Sequence, residues 1–211
     1  MHLRTFLLAA ALMPAFFPLN AADTVKTDPA ANSKPAAATQ KLVVGGGCFW
    51  CIEAVFQRVD GVKKVVSGYS GGTLPNPTYE QVCAKDTGHA EVVRVEFDPA
   101  KLKLDTLLDV FFAAHDPTTP NQQGADKGPQ YRSVIFYAND EQKQAAESAK
   151  VRAKKEWGKT IVTEVSPLKE FYGGEAYHQN YFNLNKNRNP YCSVVIAPKL
   201  HKLIEKGVIK E

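Results

Sequence analysis

The sequence predicts an α+β domain in two layers, with helices packed on a mixed sheet. Three observations carry that expectation. Val93, Val95 and Phe97 alternate with Arg94 and Glu96, the period of a strand with one buried face. Ile52, Val55, Phe56 and Val59 recur at i, i+3, i+4 and i+7, and Leu104, Leu107, Leu108, Phe111 and Phe112 are spaced the same way, so two helices each bury one side. Strand-like and helix-like stretches alternate along the chain without the regular repeat of a parallel β-α-β protein.

Residues 1–22 read as a signal peptide. His2 and Arg4 precede an apolar run over 6–19, and the small Ala21 and Ala22 follow. The run is too short to read comfortably as a membrane span. It predicts export, to a periplasm or outside the cell, with no membrane attachment once the segment is removed; an uncleaved anchor is the other reading. Residues 23–40 hold Thr, Pro, Ala, Asn, Ser and Lys and almost nothing large and apolar, which predicts a flexible linker. Residues 41–211 have the size of one domain. A net charge of +4 with scattered basic residues argues against a nucleic-acid partner.

Within the domain, residues 42–44 end a first strand, and a helix follows the glycines and closes at Gly61. A short strand is expected over 62–66, then a loop through 67–72 that continues over 75–79. Residues 79–83 begin a strand or a helical turn, and 90–97 form a strand. The Leu104 helix ends near His115, and a long loop over 116–130 follows, of the kind that often carries function. Strand 133–137 comes next, then an outer helix over 141–157, capped by Asn139 or Asp140 and closed by Gly158. A strand at 161–165, an aromatic cluster over 171–183, coil at 187–192 and a final apolar run leading to a helix complete a long, irregular C-terminal segment.

The chemistry concentrates in Gly45-Gly46-Gly47-Cys48-Phe49-Trp50-Cys51. Cys48 falls where a strand turns into a helix. Unpaired N–H groups and the positive end of the helix dipole there favour a thiolate, the nucleophilic form of cysteine. Phe49 and Trp50 can wall an apolar pocket beside it. The plainer reading is a small buried hydrophobe. Glu91 shares the parity of Val93 and Val95, which puts its carboxyl on the apolar side; its pKa should rise there, making it a proton donor near neutral pH. The plainer reading is a strand-end glutamate tilted into water. Cys51, Cys83 and Cys192 are the remaining cysteines, and their spacing does not fix a pairing. Only one pair is closely spaced, so no metal site is expected.

These stretches resemble the A-class methionine sulfoxide reductases. Beyond the Gly-Cys-Phe-Trp stretch, the resemblance runs in order through residues 65–72, 77–83, 87–91, 115–126, 130–133 and 177–181. It implies a ferredoxin-like plait and reduction of the S epimer of methionine sulfoxide, in proteins and as the free amino acid. Cys48 would be the nucleophile and Glu91 the acid. Tyr79 and Tyr131 would hydrogen-bond the sulfoxide oxygen, Asp126 would support the polar wall, and Phe49 and Trp50 would hold the S-methyl group. A sulfenic acid on Cys48 would then be discharged as a disulfide. Cys192, expected in a mobile coil, fits as partner and is favoured. Position 51 is often glycine in the family, so Cys51 is a competing resolver, and Cys83 is expected to be a buried filler. No prosthetic group is implied. A thioredoxin-like reductant would recycle the enzyme, a monomer repairing exported proteins. The competing function is a general thiol–disulfide oxidoreductase built on Cys48-Phe49-Trp50-Cys51.

Overall fold

The computed structural model describes residues 38–211. The predicted signal peptide lies outside them, as does most of the predicted linker, whose last residue, Gln40, already belongs to the first strand. The chain runs β1 (Gln40–Gly46), α1 (Phe49–Phe56), β2 (Val62–Ser70), α2 (Tyr79–Cys83) and β3 (Ala90–Phe97). It continues through α3 (Leu104–Ala114), β4 (Gln122–Gln123), β5 (Asp126–Lys127), β6 (Ser133–Tyr137) and α4 (Asp140–Trp157). It ends with β7 (Glu164–Pro167), β8 (Phe171–Gly173), α5 (Tyr181–Asn185) and α6 (Ala197–Glu205).

This is a mixed α/β fold. Six strands form one sheet in the order β7-β6-β1-β3-β2-β8. All neighbours are antiparallel except β6 and β7. Strands β1 and β3 lie at the centre, Leu42 opposite Val95 and Val44 opposite Val93. Leu42, Val44, Val93, Val95 and Ile135 face the helices and join Ile52, Phe56, Leu107, Leu108 and Phe111 in the main core. Val43, Val92, Val134 and Phe136 point the other way and make a small second core with Leu168 and Phe171. Strand β1 is therefore apolar on both faces, which is why Leu42-Val43-Val44 reads as an unbroken run. Phe111 is fully buried in the main core. Phe111→Ala is expected to lower stability by about 3–5 kcal/mol, read from the denaturant midpoint; a loss under about 1 kcal/mol would contradict this packing.

Several elements depart from the sequence reading. The strand expected over 62–66 runs on to Ser70, through residues expected in a loop. Ser67-Gly68-Tyr69-Ser70 has the composition of a turn, but Gly68 lets the Tyr172 backbone of β8 lie against it, so the segment pairs on both sides. Helix α1 stops at Phe56 and not at Gly61; the chain turns through 57–61 with Val59 still buried. The strand expected at 161–165 is β7, three residues further on. The long loop carries a two-strand hairpin, β4 paired with β5.

The largest correction concerns the C-terminal segment. Coil was expected through Cys192, but the chain is helical from Pro190: a π-helical turn over Cys192–Ile196 leads directly into α6. The cause is local. The Asn189 side chain accepts the Tyr191 N–H at 2.9 Å, and Pro190 sits at the first helical position, where its missing N–H costs nothing. Helix α4 matches its expected caps, with the Asn139 side chain accepting the Gln142 N–H at 2.9 Å and Gly158 in the left-handed region at φ 63°.

Candidate active site

The glycine run ends β1 and turns the chain into α1. A Cβ on Gly45 would lie 2.6 Å from the Glu91 carbonyl oxygen, so only glycine lets β1 approach β3 this closely. Gly47 has φ 92°, the left-handed turn that delivers Cys48 to the N-cap of α1. The Cys48 carbonyl accepts the Cys51 and Ile52 N–H groups at 3.1 and 3.4 Å. The next amide, Phe49 N–H, has no partner within the helix. It donates to Glu91 Oε2 at 3.0 Å. The carboxyl of β3 thus caps the helix that begins beside the Cys48 thiol.

Glu91 is 1% exposed. Burial pushes its pKa up to about 8, and the charges of Asp126 and Cys51 push the same way against the Phe49 amide. It holds its proton at neutral pH, as its parity in the sequence suggested. Cys48 departs from expectation. Burial first, then its hydrogen bond to Cys51 and the Glu91 charge, raise its pKa well above the usual thiol range. The helix end, worth about half a unit charge, does not offset that desolvation. Cys51 goes the other way, to about 7, chiefly through the adjacent Cys48 thiol, with help from the Lys199 charge. Of the two thiols, Cys51 is the more acidic.

Aromatic side chains build the walls. Phe49 is buried, with ring centroids 4.8 Å from His178, 5.8 Å from Tyr69 and 6.4 Å from Tyr79, the last pair nearly parallel. Trp50 is half-buried and stacks flat on Tyr181 at 3.7 Å. Its indole N–H donates to His178 Nδ1 at 3.0 Å, which fixes the ring plane. The phenols of Tyr79 and Tyr131 are both held in the protonated form, by burial and then by the Glu91 charge. Both can donate a hydrogen bond, and both feel the Glu91 charge. Asp126, on β5, accepts the Tyr191 O–H at 2.7 Å.

The fold therefore gathers Cys48, Cys51, Glu91, Tyr79, Tyr131, Asp126, Phe49 and Trp50 at one place. Cys192 lies in the same core cluster but is fully buried at the start of the π-helical turn, and makes no hydrogen bond to Cys48. Cys83, expected as a buried filler, is half-exposed at the end of the short helix α2.

The sequence reading missed four residues. Glu175 accepts the Tyr69 O–H and the Tyr79 N–H, each at 2.8 Å, and so seats the start of α2. His178 orients Trp50. Glu53, buried in α1, accepts the Asn180 and Tyr181 N–H groups at 2.8 and 3.0 Å and starts α5. Tyr191 bridges Asp126 and Cys51. Two signals were readable: Glu53 is a lone carboxylate on an apolar helix, and Glu175 is the acid inside an aromatic run. The site sets two thiols beside a proton-holding carboxyl and protonated phenols among aromatic side chains, a set that can couple nucleophilic attack to proton donation.

Comparison with known proteins agrees with this chemistry. The family model described as peptide methionine sulfoxide reductase matches residues 40–211. The peptide methionine sulfoxide reductase MsrA of Nautilia profundicola is 55% identical over 165 residues, 78% of this chain and 94% of the relative. The crystal structure of Mxr1 from Saccharomyces cerevisiae in reduced form superposes with a TM-score of 0.69 at 36% identity, covering 79% of this chain and 92% of Mxr1. Mxr1 in complex with Trx2 superposes with a TM-score of 0.50 at 28% identity, covering 75% and 90%.

Proposed function

This chain belongs to the peptide methionine sulfoxide reductase family, and from that premise we propose that it reduces the S epimer of methionine sulfoxide, free or in proteins, using Cys48 as nucleophile and Glu91 as acid. Sulfoxide sulfur is electrophilic only when its oxygen is neutralised. Glu91, holding its proton at neutral pH, gives it to that oxygen while the Tyr79 and Tyr131 phenols hydrogen-bond it. Cys48 passes its own proton to the Cys51 anion and attacks the sulfur. The S–O bond of the substrate breaks as its hydroxyl passes to Cys48 Sγ, the new S–S bond breaks with its electron pair returning to the substrate sulfur, and methionine leaves with Cys48 carrying a sulfenic acid. Phe49 and Trp50 hold the S-methyl group, and Asp126 supports the polar wall.

The sulfenic acid is then discharged as a disulfide. Cys51 follows Cys48 within the first turn of α1, its N–H bonded to the Cys48 carbonyl, which supports Cys51 as the first partner, and Cys-x-x-Cys pairs at helix starts are suited to closing such bonds. Cys192, favoured from the sequence, lies on the separate π-helical turn and makes no hydrogen bond to Cys48, which supports a role after Cys51. A thioredoxin-like reductant reopens the disulfide, a reading supported by the Mxr1–Trx2 complex. No prosthetic group takes part, and the enzyme works as a monomer. Residues 1–22 support export to a periplasm or beyond the cell, where its substrates are oxidised exported proteins. The strand order β6-β1-β3-β2, with α1 and α3 as the connections, supports a ferredoxin-like plait as the centre of the fold.

One observation carries this reading: a carboxyl that keeps its proton at neutral pH is bonded to the amide adjacent to Cys48. The test is epimer selectivity. With dithiothreitol, the purified protein is expected to consume S-methionine sulfoxide and spare the R epimer. Turnover of insulin disulfides in place of either sulfoxide would favour a general dithiol oxidoreductase and overturn the proposal.

A further inference from the structure

We propose that Tyr191 and Asp126 form a one-way proton path that activates Cys51 for closing the disulfide on Cys48. This rests on the reading above, in which Cys51 attacks the Cys48 sulfenic acid. The Tyr191 hydroxyl lies 3.7 Å from Cys51 Sγ and 2.7 Å from Asp126 Oδ2. A phenol has a single proton. Tyr191 directs its own at Asp126, so once Cys51 carries a proton the phenol oxygen is free to accept it. In that state the contacts run in line from Cys51 through Tyr191 to the Asp126 carboxylate.

The path answers a need that the first half of the reaction creates. Taking the Cys48 proton leaves Cys51 as a thiol, and disulfide closure requires the thiolate. The titratable and charged groups around Cys51 are Cys48, Tyr191, Asp126, Glu91, Lys199 and Cys192, whose thiol burial holds protonated. Cys48 has become the electrophile, and Lys199 is a cation. Glu91 makes no hydrogen bond to Cys51; its Oε2 is held by the Phe49 amide. Asp126, reached through Tyr191, is the base in line. Burial keeps Tyr191 from ionising, so it passes a proton on and does not store charge.

In the step itself, the Cys51 proton moves to Tyr191 as the Tyr191 proton moves to Asp126. Cys51 Sγ attacks Cys48 Sγ, the S–S bond forms, and the Cys48 S–O bond breaks. The leaving hydroxide takes a proton from solvent and departs as water. Asp126 later returns its proton to solvent. Cys51 is oxidised and Cys48 reduced by the same electron pair.

A single turnover of the full chain with S-methionine sulfoxide and no reductant tests this. Methionine is quantified, the sulfenic acid is trapped with dimedone, and the Cys48–Cys51 disulfide is mapped by mass. In the Tyr191→Phe protein, closure at pH 7 is expected to slow about 10- to 100-fold. Dimedone adduct per methionine formed should rise accordingly. The deficit should shrink about tenfold per pH unit towards alkaline pH, because hydroxide removes the thiol proton without the path. If Tyr191→Phe does not fold, Asp126→Asn carries the same expectations. Closure at the unsubstituted rate at pH 7, or a slowing that alkaline pH leaves unchanged, would overturn the path. Failure of the unsubstituted protein to form methionine would instead overturn the underlying reading.

Discussion

A Cys48→Ser protein is expected to form no methionine from methionine sulfoxide while folding as well as its parent. Serine oxygen is a weak nucleophile at neutral pH, and it cannot take up the sulfoxide oxygen as sulfur does. Activity should fall below detection, in single turnover as in steady state. Stability should hold for a separate reason. Cys48 occupies the N-cap of α1 without a side-chain hydrogen bond to that helix. Serine is a preferred residue there, and its hydroxyl can accept an amide of the first turn, worth about 0.5–2 kcal/mol. Thermal melting of the two proteins side by side separates a chemical loss from a folding loss. Residual methionine formation by a folded Cys48→Ser protein would show that another thiol attacks the substrate.

Replacing Glu91 by glutamine is expected to lower the rate of methionine formation by about 10²–10⁴-fold, the contribution of one general acid. Glutamine keeps the shape and can still accept the Phe49 amide, but it has no proton to give. The same change should stabilise the protein at alkaline pH. Burial raises the folded-state pKa of Glu91 from the usual 4.5 to about 8. The stability linked to this group is therefore fully present below about pH 4.5 and is lost as pH rises through about 8, where the buried carboxyl ionises. Glutamine does not ionise, so Glu91→Gln should melt above its parent at about pH 9 and close to it near pH 5. A variant that is slow and also less stable at about pH 9 would mean that Glu91 is ionised in the resting site.

What was legible in the sequence was local. Period-two alternation placed Glu91 on the apolar face from five residues of one strand. The i, i+3, i+4 spacing put Cys48 at the start of a helix, and the glycines before it marked the close approach to β3. Helix α3 followed from the same arithmetic, and the outer helix α4 from its punctuation, Asn139 and Gly158. The failures have two physical sources. Ser67 to Ser70 and Asn189 to Cys192 were judged by composition, and tertiary pairing in one case and a cap in the other overrode it. The charge state of Cys48 was judged from the helix end alone, whereas burial, which no local pattern reports, sets it.

The contact that distinguishes this site could not be read from spacing. Cys51 meets Tyr191 across 140 positions of sequence, and Tyr191 meets Asp126 across 65. Folding of the C-terminal helix back over α1 makes both. The Cys-x-x-Cys pair was visible, but the residue that serves its second thiol was not.

The central claim is that Cys48 receives the sulfoxide oxygen. A protein with Cys51→Ser and Cys192→Ser removes both candidate resolving thiols and leaves Cys48 and Glu91 in place. In one turnover with S-methionine sulfoxide and no reductant, run to completion because Cys51 no longer takes the Cys48 proton, peptide mass mapping should find one methionine formed per protein and one dimedone adduct, on Cys48. Methionine formed with Cys48 unlabelled, or the adduct on Cys83, would contradict the account.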